Sequence, residues 1–377
     1  MTVIQRFVAW EQRKLNELTD YTDYRGKSPK KAVEGVQLIT ASNIRYGYID
    51  YNADKQFVSE EDYPDIMRRG MPKIGEVLFT TEAPLGNVAQ VNNENIALAQ
   101  RVIKFDGKEN LINNDYLFEY FLAPTFQVEI NKKATGGTVK GIKGKVLHKI
   151  FINFPKTIEE QLKIGKLLKL LDETIALHQE KLSKLYALKE AYLQQMFPQY
   201  KENNPKVRFT NFGEKWQKSK LSEVLNVNSG RDYKHLKSGD VPVYGTGGYM
   251  LSVDQCLSDE DAIGIGRKGT IDKPQYLKSP FWTVDTLFYM KVKKGYDLLF
   301  VYSISQTVRW KKYDESTGVP SLSKTTINNI TKTFPPYKEQ VAIGKFFDKI
   351  NELIDLEQIK LDKLKNLKKA YLRKMFI

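Results

Sequence analysis

The sequence predicts a mixed α/β fold in which two globular domains alternate with two long helices. Three observations predict it. Residues 160–197 and 339–376 align without a gap at a constant offset of 179 positions, and twenty of the thirty-eight pairs are identical. Chance matching would give roughly one identity per fifteen positions, so this is a true internal repeat. In both copies the apolar residues advance in steps of four and three, the spacing of a coiled-coil seam. Outside the copies, short β-rich runs are punctuated by Gly, Asn, Asp and Pro, as strands joined by turns require.

Taken in order, the first globule spans 1–154. Its runs at 33–40, 77–81 and 102–105 read as strands, and 114–129 reads as a helix. The central helix follows over 155–199, with Ile164, Leu168, Leu171, Ile175, Leu182 and Leu185 along its seam. A helix of 38 residues is about 57 Å long. It has no internal proline and stops at Pro198. The second globule spans 200–335, with strands read at 241–244, 262–265 and 281–292. The last helix, 336–377, places Ile343, Phe347, Ile350, Ile354, Leu361 and Leu364 on the same stripe. Each helix follows a proline-bearing strand end, Phe154-Pro155 in one case and Phe334-Pro335-Pro336 in the other.

Polar residues interrupt both stripes at matching places: His178 with Glu357, and Lys189 with Lys368. They fix register if the helices pair antiparallel, or they mark a solvated end of the stripe. The repeat also reaches outside the helices. Arg6-Phe7, Trp10, Lys14-Leu15 and Glu17 match Arg208-Phe209, Trp216, Lys220-Leu221 and Glu223. The middles of the globules barely align, so two bodies share a frame and differ in content.

Bulk composition narrows the function. A net charge of +14 over 377 residues and a pI near 9.3 point to a polyanionic partner, nucleic acid before membrane. No apolar run is long enough to span a bilayer, so a cytoplasmic protein is expected. The lone Cys256 excludes a disulfide framework, and the scattered His148, His178 and His235 make no metal cluster. No catalytic constellation is complete. Gly264-Ile265-Gly266-Arg267-Lys268-Gly269 fits the dinucleotide fingerprint, but Pro274 stands where the helix should begin, so a basic turn is expected. Phe334-Pro335-Pro336-Tyr337 resembles the methyltransferase Pro-Pro-Tyr motif without the amide or carboxylate that must hold an adenine amino group. Pro64-Asp65 with Glu76 suggests a nuclease site, but Leu78 replaces its lysine.

The residues suited to DNA are basic, flanked by glycine and interleaved with aromatics. In the first globule they are Arg25, Lys27, Ser28, Lys30, Lys31, Asn43, Arg45, Lys140 and Lys143. In the second they are Arg231, Lys234, Thr246, Tyr249, Arg267, Lys268, Ser321 and Lys324. Glycine turns let backbone amides approach phosphates, Lys and Arg neutralise charge, and Arg or Asn can read base edges. Any one of these patches alone could be a solvated loop; it is the pair of basic globules on a rigid spacer that points to DNA.

The doubled order of these motifs resembles the specificity subunit of type I restriction–modification systems over essentially the whole chain. The resemblance rests on the strand-end proline, Glu-Gln and Ile-Gly-Lys opening each helix, and the Ala-Tyr-Leu-x-x-Met-Phe ending. The Trp-x-x-x-Lys-Leu-x-Glu openings and the turn at Gly266–Thr270 add to it. It implies two target recognition domains and two helices packed as an antiparallel coiled coil. It also implies a bipartite, asymmetric double-stranded DNA target and no catalytic site on this chain. The implied partners are two methyltransferase subunits, which hold S-adenosylmethionine, and two restriction subunits, which use ATP and Mg. The competing reading is a stand-alone DNA adenine methyltransferase or nuclease.

Overall fold

The computed structural model describes residues 10–24, 29–198 and 202–376. The chain divides into two compact units, Met1–His178 with Lys360–Ile377, and Gln179–Ile359. The two long helices, Ile158–Gln195 and Tyr337–Met375, each give one stretch to each unit.

The first unit is built on strands β1 (Trp10–Lys14), β2 (Thr19–Asp23), β3 (Val36–Ile39), β4 (Phe57–Val58), β5 (Val77–Thr81), β6 (Leu85–Gln90), β7 (Ile96–Leu98), β8 (Val102–Gly107) and β9 (Phe151–Pro155). They form a four-stranded sheet β2-β8-β5-β6, a three-stranded sheet β4-β3-β7 and the pair β1-β9. Every residue of β5 is buried, and its near-continuous apolar run suits a strand covered on both faces. Phe79, Phe105, Phe121 and Phe126 fill the core, with Phe121 stacked on Phe126 at 4.5 Å between ring centres. The single helix expected over 114–129 is two helices, Asn114–Leu122 and Pro124–Lys133. Ala123 between them is extended (φ −65°, ψ 141°), because the ring of Pro124 crowds the α conformation of the residue before it.

The second unit repeats that plan with strands β10 (Gln217–Lys220), β11 (Leu225–Ser229), β12 (Ser238–Gly245), β13 (Gly248–Val253), β14 (Ala262–Gly266), β15 (Gln275–Leu277), β16 (Trp282–Thr283), β17 (Leu287–Val292) and β18 (Thr331–Phe334). Its sheets are β11-β17-β14-β15, β13-β12-β16 and β10-β18, strand for strand the order of the first unit. β3 runs parallel to β7 and β12 parallel to β16, the matching exceptions in otherwise antiparallel sheets. The one strand expected over 281–292 is two, because a turn closed by Leu287 N–H on Val284 O (3.0 Å) moves the chain from one sheet to the other. No helix follows Gly264–Gly269, where β14 ends in a turn that leads to β15.

The repeated Glu-Gln and Ile-Gly pairs explain how each long helix is seated. Gln161 accepts the Asn113 N–H (2.8 Å) and donates to the carbonyls of Leu111 and Pro155 (3.0 and 2.9 Å). Gln340 accepts the Asp297 N–H (3.0 Å) and donates to Pro335 O (2.9 Å). Asn113 and Asp297 in turn cap the equivalent helices Asn114–Leu122 and Leu298–Gln306. One amide thus satisfies a strand end and a helix cap at once, which makes the buried polar group stabilising rather than costly.

In the second unit the partner positions fall as the central helix advances. Lys181 meets Glu357 at 3.1 Å, and Tyr192 meets Phe346 edge-on at 5.0 Å, so the stretches run antiparallel. In the first unit Leu168 shares a core with Leu372 and Phe376. Ile164, Leu168, Leu182, Ile343, Phe347, Ile350, Ile354 and Leu361 are buried, and Leu171, Ile175, Leu185 and Leu364 are half-buried.

The polar seam positions acquire different surroundings. Lys368 is held by Asp172 (2.5 Å) and Glu119 (3.2 Å), whereas burial holds the half-buried Lys189 below the usual lysine range against the opposing pull of Asp355. Glu119 is 1 % exposed, and burial raises its carboxyl from 4.5 to about 8 despite Lys368. An acid whose folded value is raised binds its proton longer than the unfolded chain does. Glu119 therefore costs stability progressively as pH rises from about 4.5 to about 8. Glu119→Gln should gain on the wild type across that window by at least ~1 kcal/mol, and the gain should level off above it. Urea titrations at stepped pH measure the difference; a pH-independent difference would contradict it.

Candidate nucleic-acid interface

In the second unit, close backbone packing sets the loops. A side chain at Gly266 would meet Thr270 O at 2.1 Å, and one at Gly230 would meet Val284 O at 2.0 Å, so only glycine fits these turns. The amides of Arg267 and Lys268 both donate to Thr286 O (2.7 and 3.2 Å). Lys268 bridges Ser321, Gly269 N–H reaches Pro320 O (2.8 Å), and Leu322 N–H returns to Arg267 O (2.9 Å). The buried Leu322 anchors this crossing, and Ser323 beyond it caps the helix Lys324–Asn329. Arg267 and Lys324 both lie over the Phe288 ring, at 5.9 and 6.0 Å from its centre.

Lys234, Thr246, Tyr249, Asp285 and Thr286 line a cleft of about 670 Å³ beside these loops. Arg231 is tied to the same place through its N–H to Thr283 O (2.9 Å), with Trp282 donating to Arg231 O (2.9 Å). All eight residues singled out in the second globule thus converge on one set of loops. Arg231, Lys234, Tyr249, Arg267, Lys268 and Lys324 are exposed there. Such a surface can neutralise phosphates with its cations and offer an aromatic ring and free polar groups to bases.

The first unit has the equivalent crossing with different residues. Ile142 N–H reaches Thr81 O (2.9 Å), Gly141 bridges both Glu82 and Thr135, and Ile142 is buried as Leu322 is. Lys140 and Lys143 flank this point and are exposed. Where Thr286 receives Arg267, Arg101 O receives the Thr81 N–H (2.8 Å), and the Arg101 guanidinium pairs with Glu82 at 3.5 Å. Lys30 and Lys31 lie beside β4, where Ala32 bonds Phe57 (2.8 Å). Arg45 is exposed and paired with Asp50 at 3.5 Å, in a loop tied to β6 by Gly47 N–H on Val88 O (2.8 Å).

One candidate is corrected. Asn43 is fully buried, and its side chain bonds the Thr40 N–H and hydroxyl (2.9 and 2.8 Å) and the carbonyls of Asp50 and Ala53. It is a turn scaffold with no group left to meet a base. Arg25, Lys27 and Ser28 lie outside the described residues. Two further charged residues, Arg101 and Asp285, stand exposed in the turns before β8 and β17, where isolated charges between two strands carry no compositional signal. The turns that carry them are equivalent in the common strand order, with Arg101 at the place of Thr286 and Gln100 at the place of Asp285. The suspected nuclease carboxylate Glu76 is buried against Lys104. Phe334-Pro335-Pro336-Tyr337 is the entry to a helix, with Pro336 O accepting from Glu339 and Gln340.

Comparison with known proteins agrees with this architecture. The model of the type I restriction modification DNA specificity domain matches twice, over residues 8–187 and 213–366. A type I restriction enzyme MjaVIII specificity subunit from Methanocaldococcus jannaschii is 21% identical in an alignment 310 positions long that covers 72% of this chain and 71% of that protein. The crystal structure of a type I restriction–modification S subunit from M. genitalium superposes with a TM-score of 0.75. It has 17% identity and covers 100% of this chain and 98% of that one. A chain from structural work on assembly and conformational transition of the type I R-M system has a TM-score of 0.53 and 15% identity, covering 97% of each chain. Among the described residues no helix is long and apolar enough to cross a membrane. With the two matched segments falling on the two halves of the internal repeat, this chain belongs to the type I restriction modification DNA specificity domain family.

Proposed function

We propose that this chain reads the DNA sequence for a type I restriction–modification complex and leaves the chemistry to its partners. The domains 1–154 and 200–335 each bind one half of a bipartite double-stranded target, so two unlike heads give an asymmetric site. The observation that carries the reading is one strand order used twice with different residues at the same loop crossing. A dimeric reader of equal half-sites would need like loops.

The helices 155–199 and 336–377 set the unread gap and receive two methyltransferase subunits carrying S-adenosylmethionine. Two restriction subunits with ATP and Mg join for cleavage. In support, two leucine positions are kept across the repeat and left exposed, Leu177 with Leu356 and Leu188 with Leu367. By the repeat, each unit carries one from each pair, as equivalent docking faces would. The stand-alone methyltransferase or nuclease reading has no observation in its favour.

The test is to co-produce the chain with its methyltransferase and map methylation. A bipartite motif with unlike halves is expected. DNA affinity should fall steeply with salt, by about 0.9 in log K per log salt for each phosphate contacted. Replacing Arg267 and Lys268 together by alanine should lower that slope by up to about 2. Affinity that ignores salt would sink the proposal.

A further inference from the structure

Resting on that reading, we infer that one structurally equivalent turn in each unit determines a base, with Arg101 reading a guanine and Asp285 reading the amino group of a cytosine. The two turns occupy the same place in the shared frame. Gln100-Arg101 joins β7 to β8, and Asp285-Thr286 joins β16 to β17. In both, the second residue's carbonyl is locked by the amide that ends the neighbouring strand: Thr81 on Arg101, and Arg267 on Thr286. Both therefore emerge beside the loop crossing of their own unit, on a rigid edge, with side chains that differ between the units.

The chemistry of Asp285 is specific. It is exposed and lines the cleft with Lys234, Thr246 and Tyr249. It makes no hydrogen bond or ion pair with any described residue, whereas Asp232 on the same cleft accepts the Lys234 N–H (3.4 Å). A free carboxylate on a surface that meets phosphates is repelled by them, and only a donor offsets this. In the major groove the cytosine N4 amino group is such a donor, while guanine O6 and N7 repel a carboxylate.

Arg101 supplies the opposite complement. Its φ of +70° is a left-handed conformation that a non-glycine residue rarely adopts, and Thr81 fixes it through both its N–H and its hydroxyl (2.8 and 3.2 Å). The guanidinium is half exposed and oriented by Glu82, an exposed pair that costs little to open. A planar fork so held fits guanine O6 and N7 in bidentate fashion.

The experiment uses the full chain with its methyltransferase and reads the methylated motif genome-wide. Asp285→Ala should relax one position in one half-site, lowering discrimination against the wrong base on the order of ten- to a hundred-fold. Arg101→Gly, which keeps the backbone conformation accessible, should relax one position in the other half-site by a similar factor. Lys268→Ala should lower methylation evenly with the motif unchanged. Asp285→Leu, close in size and without an acceptor, serves if the alanine variant does not fold. Variants that methylate the wild-type motif unchanged, at any rate, overturn the assignment. A wild-type complex with no motif at all overturns the proposed function on which it rests.

Discussion

Replacing Arg208 by alanine is expected to destabilise the second unit by about 3–5 kcal/mol. Arg208 grips both oxygens of Glu339, at 2.7 Å each, and donates to Glu214 O at 2.6 Å. The Glu339 side chain is 0 % exposed, so the truncation leaves a carboxylate in the interior without a cation. The cost is mainly that orphaned charge, which gives the prediction a second arm. Arg208→Met with Glu339→Leu removes both charges and should recover much of the loss, with a coupling energy well above that of exposed pairs. Urea midpoints of the singles and the double measure it, and hydrogen exchange should place the loss at the start of the C-terminal helix. Additive single and double effects would show that the pair carries no special weight.

Arg208 also shows what the sequence makes legible. Its match with Arg6 is visible in the repeat, but its partner, 131 positions away, is not. The helices were legible because one apolar stripe repeated twice leaves little freedom. β5 was legible because five apolar or threonine residues in a row suit only a buried strand. The errors fall where one local feature competes with a pattern. Pro124 cuts the expected helix at Ala123. The Asp285-Thr286 turn cuts the expected strand, because β16 and β17 belong to different sheets. Asn43 looked like a base reader because an asparagine holding a turn and one facing DNA have the same neighbours in sequence. Basic loops announce themselves by composition, so Arg231, Arg267 and Lys268 were singled out from the sequence, and all three lie exposed on neighbouring loops. Arg101 and Asp285 stand out only once the two units are laid on one strand order, which places them in equivalent turns.

The glycine of each Ile-Gly-Lys motif yields the second large effect, and here the sign is the test. At an exposed helix position glycine to alanine stabilises by up to about 1 kcal/mol, since alanine loses less backbone freedom. Gly344 should do the reverse. A Cβ there would lie 2.5 Å from the Asp297 Oδ1, 2.8 Å from Phe300 N and 2.9 Å from Leu299 Cβ. Asp297 Oδ1 is the atom that caps Phe300 N–H at 2.9 Å, so alanine must displace either the cap or the whole helix. Overpacking costs about 1–3 kcal/mol and a lost cap about 1 more, against the ~1 gained from propensity. Gly344→Ala is therefore expected to destabilise by roughly 1–3 kcal/mol. Gly165→Ala meets Asp115 Cβ at 2.9 Å and the capped Tyr116 N at 3.0 Å, but its nearest contacts do not include the Asn113 oxygen, and it should cost less. The helix that Gly344 seats is also held by Gln340 on Asp297 N–H, so unseating it loosens a clamp that joins strand end, cap and helix. Denaturant midpoints for both variants decide it. A more stable Gly344→Ala would mean that the contact is slack and that the motif's glycine has some other cause.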